Sequence, residues 1–389
     1  MNLKSIRDID VFHPYILIVI VLLFLAIAMP TWYYSGEIPP PYPQLYGYIA
    51  LGLIFFVFGI LFSRFVFKRF VLNKISDLDN EDKFKLKGNR NLEKLPFFGN
   101  YSKKELILIS VVFIGILLQV INIAYLGGIP LFSASLKSRA ATKIWLLSYI
   151  IFLPGINILL AKFNRNSHFI LLIMGLILFA LTGYRTTPIT ILLSVFITLF
   201  YTRDFKLKYQ IIFVLMILIA LVSIGFIAVK AISWQNWNLG PLQLVSYRAA
   251  FTLRILDRAI NRQFMTGGAL FYSTLTGFFT STDPRVLVGQ AVLSRNHSIT
   301  STIFGPALLD FGFIGMSIQM FLIGFILKTL HFIKEFKSTW ICGIYGIILA
   351  QTLIWIETGP TDFVVWIFYF IAILIIISTF HKIFKSNLK

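Results

Sequence analysis

The feature that most constrains this chain is a succession of ten mostly apolar runs, at residues 14–31, 45–63, 105–126, 144–161, 168–183, 187–202, 209–230, 302–327, 339–356 and 362–380. Crossing the hydrocarbon core of a bilayer takes roughly 17–25 such residues in a helix. Only helices or closed barrels satisfy their backbone polar groups there, and runs this continuous fit helices. The expected fold is therefore all-α, a polytopic transmembrane bundle of about ten spans forming one integral membrane domain over residues 1–389. The shortest connection, GYRTTP at residues 183–188, leaves little more than a turn between the fifth and sixth runs. The first run has no small-residue cleavage site and reads as an anchor rather than a removable signal.

Composition supports this reading and removes others. The chain is 58% hydrophobic and 13% charged, against roughly 45–50% and about 25% for soluble domains. Cys342 is the only cysteine, so intramolecular disulfides, CxxC redox pairs and cysteine zinc sites are excluded. No HExxH or similar pair places two histidines for a metal. The DLD at residues 77–79 sits in a loop too short for a nucleotide-binding domain and reads as a solvated turn.

Charge sets an expected orientation. Residues 64–104 hold eleven Lys or Arg, and the segments 162–165, 203–208 and 328–337 and the tail from Lys382 are also basic. With ten spans all of these share one side, which the positive-inside rule makes cytoplasmic, together with both termini. The net charge of +19 then reports topology and attraction to anionic membrane lipids, and nucleic acid is a poor fit as a partner. The opposite face carries WYYSGEIPPPYPQ (32–44), residues 127–143, GYRTTP, a loop at 231–301 and ETGPTD (357–362). That long loop holds Trp234, Trp237, Tyr247, Phe251, Phe264, Phe271, Tyr272 and Phe278, which predicts a folded, partly helical segment before the eighth span.

The long loop has six arginines (Arg248, Arg254, Arg258, Arg262, Arg285, Arg295) and no lysine, whereas residues 64–104 have eight lysines and three arginines. Guanidinium is a planar, always-charged fork that binds phosphate oxygens two at a time. Its selective use on the face that the positive-inside rule leaves poor in cations points to an anionic ligand. Arg254, Arg258 and Arg262 recur every four residues, along one face of an amphipathic helix expected to lie at the membrane surface. A plain stripe meeting lipid headgroups is the competing explanation. Lys137, Arg139 and Arg185 are further cations on this face; Arg185 can also be a snorkelling anchor.

Acidic groups on the same face are Glu37, Asp257, Asp283, Asp310, Glu357 and Asp362. Carboxylates at membrane depth must be paired or protonated, and pairing with an arginine is the simplest fate for Asp310, Glu357 and Asp362. Asp257 is a candidate base as well as an ion-pair partner. His297, next to Arg295 at the mouth of the eighth run, can take a proton from a hydroxyl near neutral pH. It can also cap that helix, and Asn296 to Ser298 spells a glycosylation sequon.

The stretch NHSITSTIFGPALLDFGFIG, with His297, Asp310 and a GxxG at Gly312 and Gly315, resembles the HN, acidic and GxxG elements of the O-antigen polymerase and ligase superfamily, with Ser298 where that pattern has asparagine. GGIPLF at 127–132, followed by Lys137 and Arg139, is similar to its oligosaccharide repeat-unit polymerase branch. The resemblance implies a multi-pass cell-membrane enzyme that transfers a glycan from a polyprenyl-diphosphate-linked oligosaccharide to a sugar hydroxyl of another lipid-linked unit. No cofactor, nucleotide sugar or metal is implied. Arg254, Arg258 and Arg185 would hold the diphosphate with support from Arg139 and Arg285, and Arg248, Arg262 and Arg295 would add to the cationic surface. His297 would be the base, with Asp257 in reserve. The alternatives are a ligase with another acceptor, a flippase or exporter of lipid-linked or anionic saccharides, and a membrane scaffold without chemistry.

Overall fold

The computed structural model describes residues 10–35, 38–67, 101–203, scattered positions from 211 to 219, 240–261, 265–280, 282–336 and 339–385. The expected span at 209–230, the DLD motif, Glu37, Trp234, Trp237, Arg262 and Phe264 fall wholly or mostly outside the described residues. The main helices are α1 (Ile16–Pro30), α2 (Pro43–Phe67), α3 (Lys103–Tyr125), α4 (Ala134–Arg139), α5 (Lys143–Lys162), α6 (His168–Ala180), α7 (Thr186–Thr202), α8 (Pro241–Asn261), α9 (Ala269–Thr280), α10 (Pro284–Leu293), α11 (Gly305–Phe336), α12 (Trp340–Thr358) and α13 (Phe363–Lys385).

Among the described residues seven helices, α1 with its extension to Tyr34, α2, α3, α5, α11, α12 and α13, are long and apolar enough to cross a membrane. The chain is a multi-pass, all-helical membrane protein, as its hydropathy requires. The fifth and sixth runs form the shorter α6 and α7, joined through the tight turn at Gly183, whose φ is +74°. The 231–301 region carries α8, α9 and α10 rather than extended loop.

Two compact units make up the chain, residues 1–78, 246–335 and 352–389 in one, and 79–245 with 336–351 in the other. In the second, α3 and α5 cross closely. A Cβ on Gly115 would stand 2.8 Å from the Phe152 Cβ, and Ser148 Oγ donates to the Gly115 carbonyl at 2.7 Å. Asn157 Nδ2 donates to Ser194 Oγ at 3.0 Å and its Oδ1 accepts from Thr198 Oγ1 at 2.8 Å, tying α5 to α7. Lipid tails are as apolar as leucine, so helices here associate through small residues and interhelical hydrogen bonds rather than hydrophobic drive. Glu105, Arg165 and His168 add a buried ion cluster, with Arg165 Nε 2.9 Å and His168 Nε2 3.0 Å from Glu105 Oε1.

In the first unit α2 packs on α11 through Gly59 and Gly324, whose absent side chains admit the partner backbone at Phe321 and Phe56. Ser63 and Thr329 share a 2.8 Å hydrogen bond on the same seam. The helix α11 is not continuous. Gly312 has φ 64° and ψ −157°, a conformation essentially restricted to glycine. Asp310 sits just before this break, 3% exposed, and accepts from the amides of Leu270 at 3.0 Å and Phe271 at 2.7 Å and from the Thr266 hydroxyl. It is thus a carboxylate cap on the positive end of α9. Thr266 also donates from its amide and hydroxyl to the Leu309 carbonyl at 2.8 and 3.1 Å, satisfying an acceptor beside the break. The acidic residue and first glycine of the DFGFIG stretch therefore dock α9 against α11. Among the described residues Asp310 pairs with backbone amides and a hydroxyl, and not with an arginine as expected.

Candidate active site

Within the first unit, α8 and α10 each deliver an arginine to the turn between α12 and α13. Arg248 donates from Nε to Glu357 Oε1 at 3.1 Å and from Nη2 to Thr300 Oγ1 at 3.4 Å. Arg285 donates from Nη2 to Asp362 Oδ1 at 2.6 Å, with Nε 3.8 Å from Asp283 Oδ1. The ETGPTD turn thus offers a carboxylate at each end, and both take an arginine. Gly359 makes this turn possible, because its φ is +73° and a Cβ there would meet the Ser301 carbonyl oxygen at 2.4 Å.

The segment leading into α11 runs past both arginines. Ile299 N donates to the Arg285 carbonyl at 3.1 Å, and Thr300 is the hydroxyl that meets Arg248. His297 lies three residues before Thr300, so its Cα is within about 11 Å of the Thr300 Cα. It is exposed on a loop that folds back over α10, where its carbonyl oxygen sits so close to Gly289 that a Cβ would approach to 2.2 Å. Arg295 is exposed beside it. Asn296 Oδ1 accepts from Gln290 Nε2 at 2.8 Å, which fixes the loop against α10.

The α8 helix carries the remaining cations. Its open stripe is Tyr247, Phe251, Arg254 and Arg258, spaced as one helical face, while Ala249, Ala250, Leu253, Ile255, Leu256 and Ala259 are buried. Arg254 and Arg258 share a face as the spacing predicts. The helix is nevertheless packed into protein on its other sides rather than floating in a headgroup layer, because its apolar residues cover more than one stripe. Asp257 points away from that stripe, 6% exposed, and accepts from Tyr42 N at 3.3 Å. Burial pushes its carboxyl above the usual range, while the Tyr42 amide, Arg254 and Arg258 pull in the opposite direction.

Arg248 keeps capacity for a ligand. Its side chain is 43% exposed, and two of the five N–H donors of a guanidinium are engaged by Glu357 and Thr300 among the described residues. Ser301 Oγ and Thr361 Oγ1 are buried with no hydrogen-bond partner among the described residues. Thr300, Ser301 and Thr361 were not distinguishable in sequence from other hydroxyls at span ends; only the pairing of α8 with the ETGPTD turn marks them.

The second unit holds Lys137, Arg139 and Arg185. The α4 helix follows Pro130–Phe132, and Leu131 N donates to the Leu181 carbonyl at 2.9 Å while Tyr184 OH donates to the Lys137 carbonyl at 3.0 Å. The GGIPLF and GYRTTP segments are thereby joined, with exposed Arg139 ending α4 and partly exposed Arg185 preceding α7.

Comparison with known proteins gives two relatives in one organism and a family. Uncharacterized protein MJ0419 of Methanocaldococcus jannaschii is 26% identical over 274 residues, 69% of this chain and 75% of its own length. Uncharacterized protein MJ0420 of the same organism is 28% identical over 235 residues, 60% of this chain and 56% of its own, so the match spans just over half of that relative. No solved structure matches. Residues 10–369 match the family model described as "Putative O-antigen polymerase", and the chain belongs to that family.

Proposed function

We propose that this protein polymerises oligosaccharide repeat units on the extracytoplasmic face of the membrane, both its termini being cytoplasmic, with a polyprenyl-diphosphate-linked glycan as donor and a sugar hydroxyl of a second lipid-linked unit as acceptor. Family membership supports a membrane polymerase in polysaccharide biosynthesis. The observation that supports the finer reading is that Thr300, three residues after His297, meets the half-open guanidinium of Arg248.

In this reaction the acceptor oxygen bonds to the anomeric carbon as the bond from that carbon to the diphosphate oxygen breaks, and its electron pair leaves on the diphosphate. The acceptor proton passes to the His297 imidazole. The open edge of Arg248, with Arg254, Arg258 and Arg295, neutralises charge on the departing oxygen. Arg285 orders the loop through Asp362 and the Ile299 amide. Arg139 and Arg185 form a second basic cluster for an anionic headgroup. Arg262 completes the α8 series in sequence and lies outside the described residues.

The test is reconstitution of the full chain in liposomes with polyprenyl-diphosphate oligosaccharide and EDTA. A ladder of longer lipid-linked glycans with release of polyprenyl diphosphate is expected, and Arg254→Lys and His297→Ala should each abolish most of it. Substrate that crosses the bilayer at unchanged length would make the protein a transporter. The break at Gly312 is what favours that second reading, since transporters often carry discontinuous helices. The Leu309 carbonyl beside it is satisfied by Thr266, which fits a fixed docking point better than a moving one.

A further inference from the structure

Residues 303–320 double back on themselves. Gln319 Nε2 donates to the Ile303 carbonyl at 2.7 Å across 16 residues, and a Cβ on Gly52 of α2 would stand 2.6 Å from Phe304 Cε1 and 3.6 Å from Met320 Cγ. A helix rising about 1.5 Å per residue would set residues that far apart in sequence about 24 Å from each other. Gly315 closes the fold, because a Cβ there would stand 2.5 Å from Phe311 Cβ and 2.8 Å from the Ala307 carbonyl oxygen. The break at Gly312 is therefore the tip of a hairpin, in which a short arm, residues 305–311, lies back along the first turns of a long arm, residues 313–336. The long arm alone is about 36 Å long, enough to cross a hydrocarbon core of about 30 Å. The short arm is an insertion beside it.

The hairpin sets where the preceding loop lies. Residues 299–304 are buried and not helical, and irregular backbone beside a membrane span persists only where its polar groups are met inside the protein or by water. Two ties meet them at its ends: Ile299 N donates to the Arg285 carbonyl at 3.1 Å, and the Ile303 carbonyl accepts from Gln319. Between these ties Thr300 meets Arg248 Nη2 at 3.4 Å. Gln319 stands in the apolar run FIGMSIQMFLIGF, residues 313–325, where an amide without a partner is expensive. Such groups commonly serve as glue between helices. Here the partner is not another helix but the loop itself, three residues from Thr300.

We propose that Gln319 is a positioning residue for glycan transfer: by holding the Ile303 carbonyl it fixes the register of Thr300 along the long arm, and with it the edge that Arg248 turns to the departing diphosphate oxygen. This role rests on the glycan-transfer reading of the Arg248 site, and Gln319 itself touches no substrate. Removing its N–H donors frees one end of residues 299–303 while leaving every charge of the site in place. Misplacing a group that acts mainly on the transition state lowers kcat and leaves KM nearly unchanged.

The experiment uses full-length protein in nanodiscs and two separate readouts, glycan transfer from a polyprenyl-diphosphate oligosaccharide and amide hydrogen exchange of residues 297–304. Gln319→Met keeps the length of the side chain and loses the donor; its kcat should fall roughly ten- to a hundredfold with KM within about twofold of the wild type, and residues 299–304 should exchange faster. Gln319→Glu donates only when its carboxyl is protonated. Its rate relative to the wild type should therefore rise as the pH is lowered, while the ratio for Gln319→Met stays flat. Ile318→Ala, at the adjacent residue and 55% exposed, should change neither readout. Wild-type kcat in Gln319→Met, or unchanged exchange of residues 299–304, overturns the positioning role. Absence of transfer by the wild type, with faster exchange in Gln319→Met, would instead remove the glycan-transfer reading and the positioning role with it, and leave the tie between Gln319 and the loop standing.

Discussion

Arg248 on α8 and Glu357 at the end of α12 meet at 3.1 Å although 109 residues separate them, and the same guanidinium reaches Thr300 in the segment that carries His297. With side chains 43% and 25% exposed, such a pair is worth at most about 1 kcal/mol to stability. Arg248→Lys should therefore move the thermal unfolding midpoint little while lowering kcat/KM for glycan transfer at least about tenfold, because lysine keeps the charge and loses the fork. Glu357→Gln should do the reverse at the ligand: with its compensating charge gone, Arg248 should bind sugar-free polyprenyl diphosphate more tightly. An Arg248→Lys protein with full activity would place the diphosphate elsewhere.

Asp310 should behave as a structural carboxylate. Removing its side chain leaves the Leu270 and Phe271 amides without an acceptor in a buried setting, a loss of about 2–3 kcal/mol for charge-assisted bonds. Asp310→Ala is expected to lower the unfolding midpoint in detergent well below that of the wild type, and Asp310→Asn, which keeps one acceptor oxygen, should fall between them. Specific activity per folded molecule should be retained; a catalytic role would show as lost turnover in protein of unchanged stability.

The helices were legible in sequence because bilayer thickness sets a length and lipid enforces apolarity, two local properties that a single chain displays. The opposing charges of Arg285 and Asp362 were legible as well, and pairing was foreseen as their simplest fate. Which arginine takes which carboxylate was not, since the choice depends on how α8, α10 and the α12–α13 turn pack. For Asp310 the expected arginine partner was wrong, because its partners are backbone amides some forty residues away, at the start of α9. The α8 spacing correctly put Arg254 and Arg258 on one face, yet a moment-like pattern does not distinguish lipid headgroups from packed protein as the cover for the apolar side. Tyr42 gave a signal, a tyrosine bracketed by prolines, with nothing in sequence to connect it to Asp257.

Gly312 should tolerate no side chain. At φ 64° and ψ −157° an alanine costs about 1–3 kcal/mol in backbone strain, and the added Cβ would also stand 3.3 Å from Met265 Cε. Gly312→Ala is expected to lower the unfolding midpoint. Gly47→Ala, in α2 with nothing within 4 Å of the new methyl, should leave it unchanged or raise it slightly. Equal effects of the two substitutions would mean that the break in α11 is not a fixed element of the folded protein.

His13 should make stability pH-dependent. Its Nε2 accepts from Lys328 Nζ at 2.7 Å, and its ring lies 4.8 Å, centroid to centroid, from that of His331, whose Nε2 is 2.6 Å from Asp10 Oδ2 and whose Nδ1 is 3.6 Å from Glu335. Burial first, then the Lys328 charge, lowers the His13 pKa to about 4, with Lys334 adding to the fall and Asp10 opposing it. The unfolded chain binds a proton near pH 6.5, so between about 6.5 and 4 the unfolded state carries the proton and the folded state does not. Stability is then complete above 6.5 and falls as pH drops through that window, by at most about 3 kcal/mol. Thermal unfolding of the wild type followed from pH 7.5 to 4 should show this decline, and His13→Gln, which removes one titrating group from the His13–His331 pair, should make it shallower. A wild-type midpoint that is constant across the window, or one that declines equally in His13→Gln, would mean that the contact with Lys328 does not hold His13 neutral.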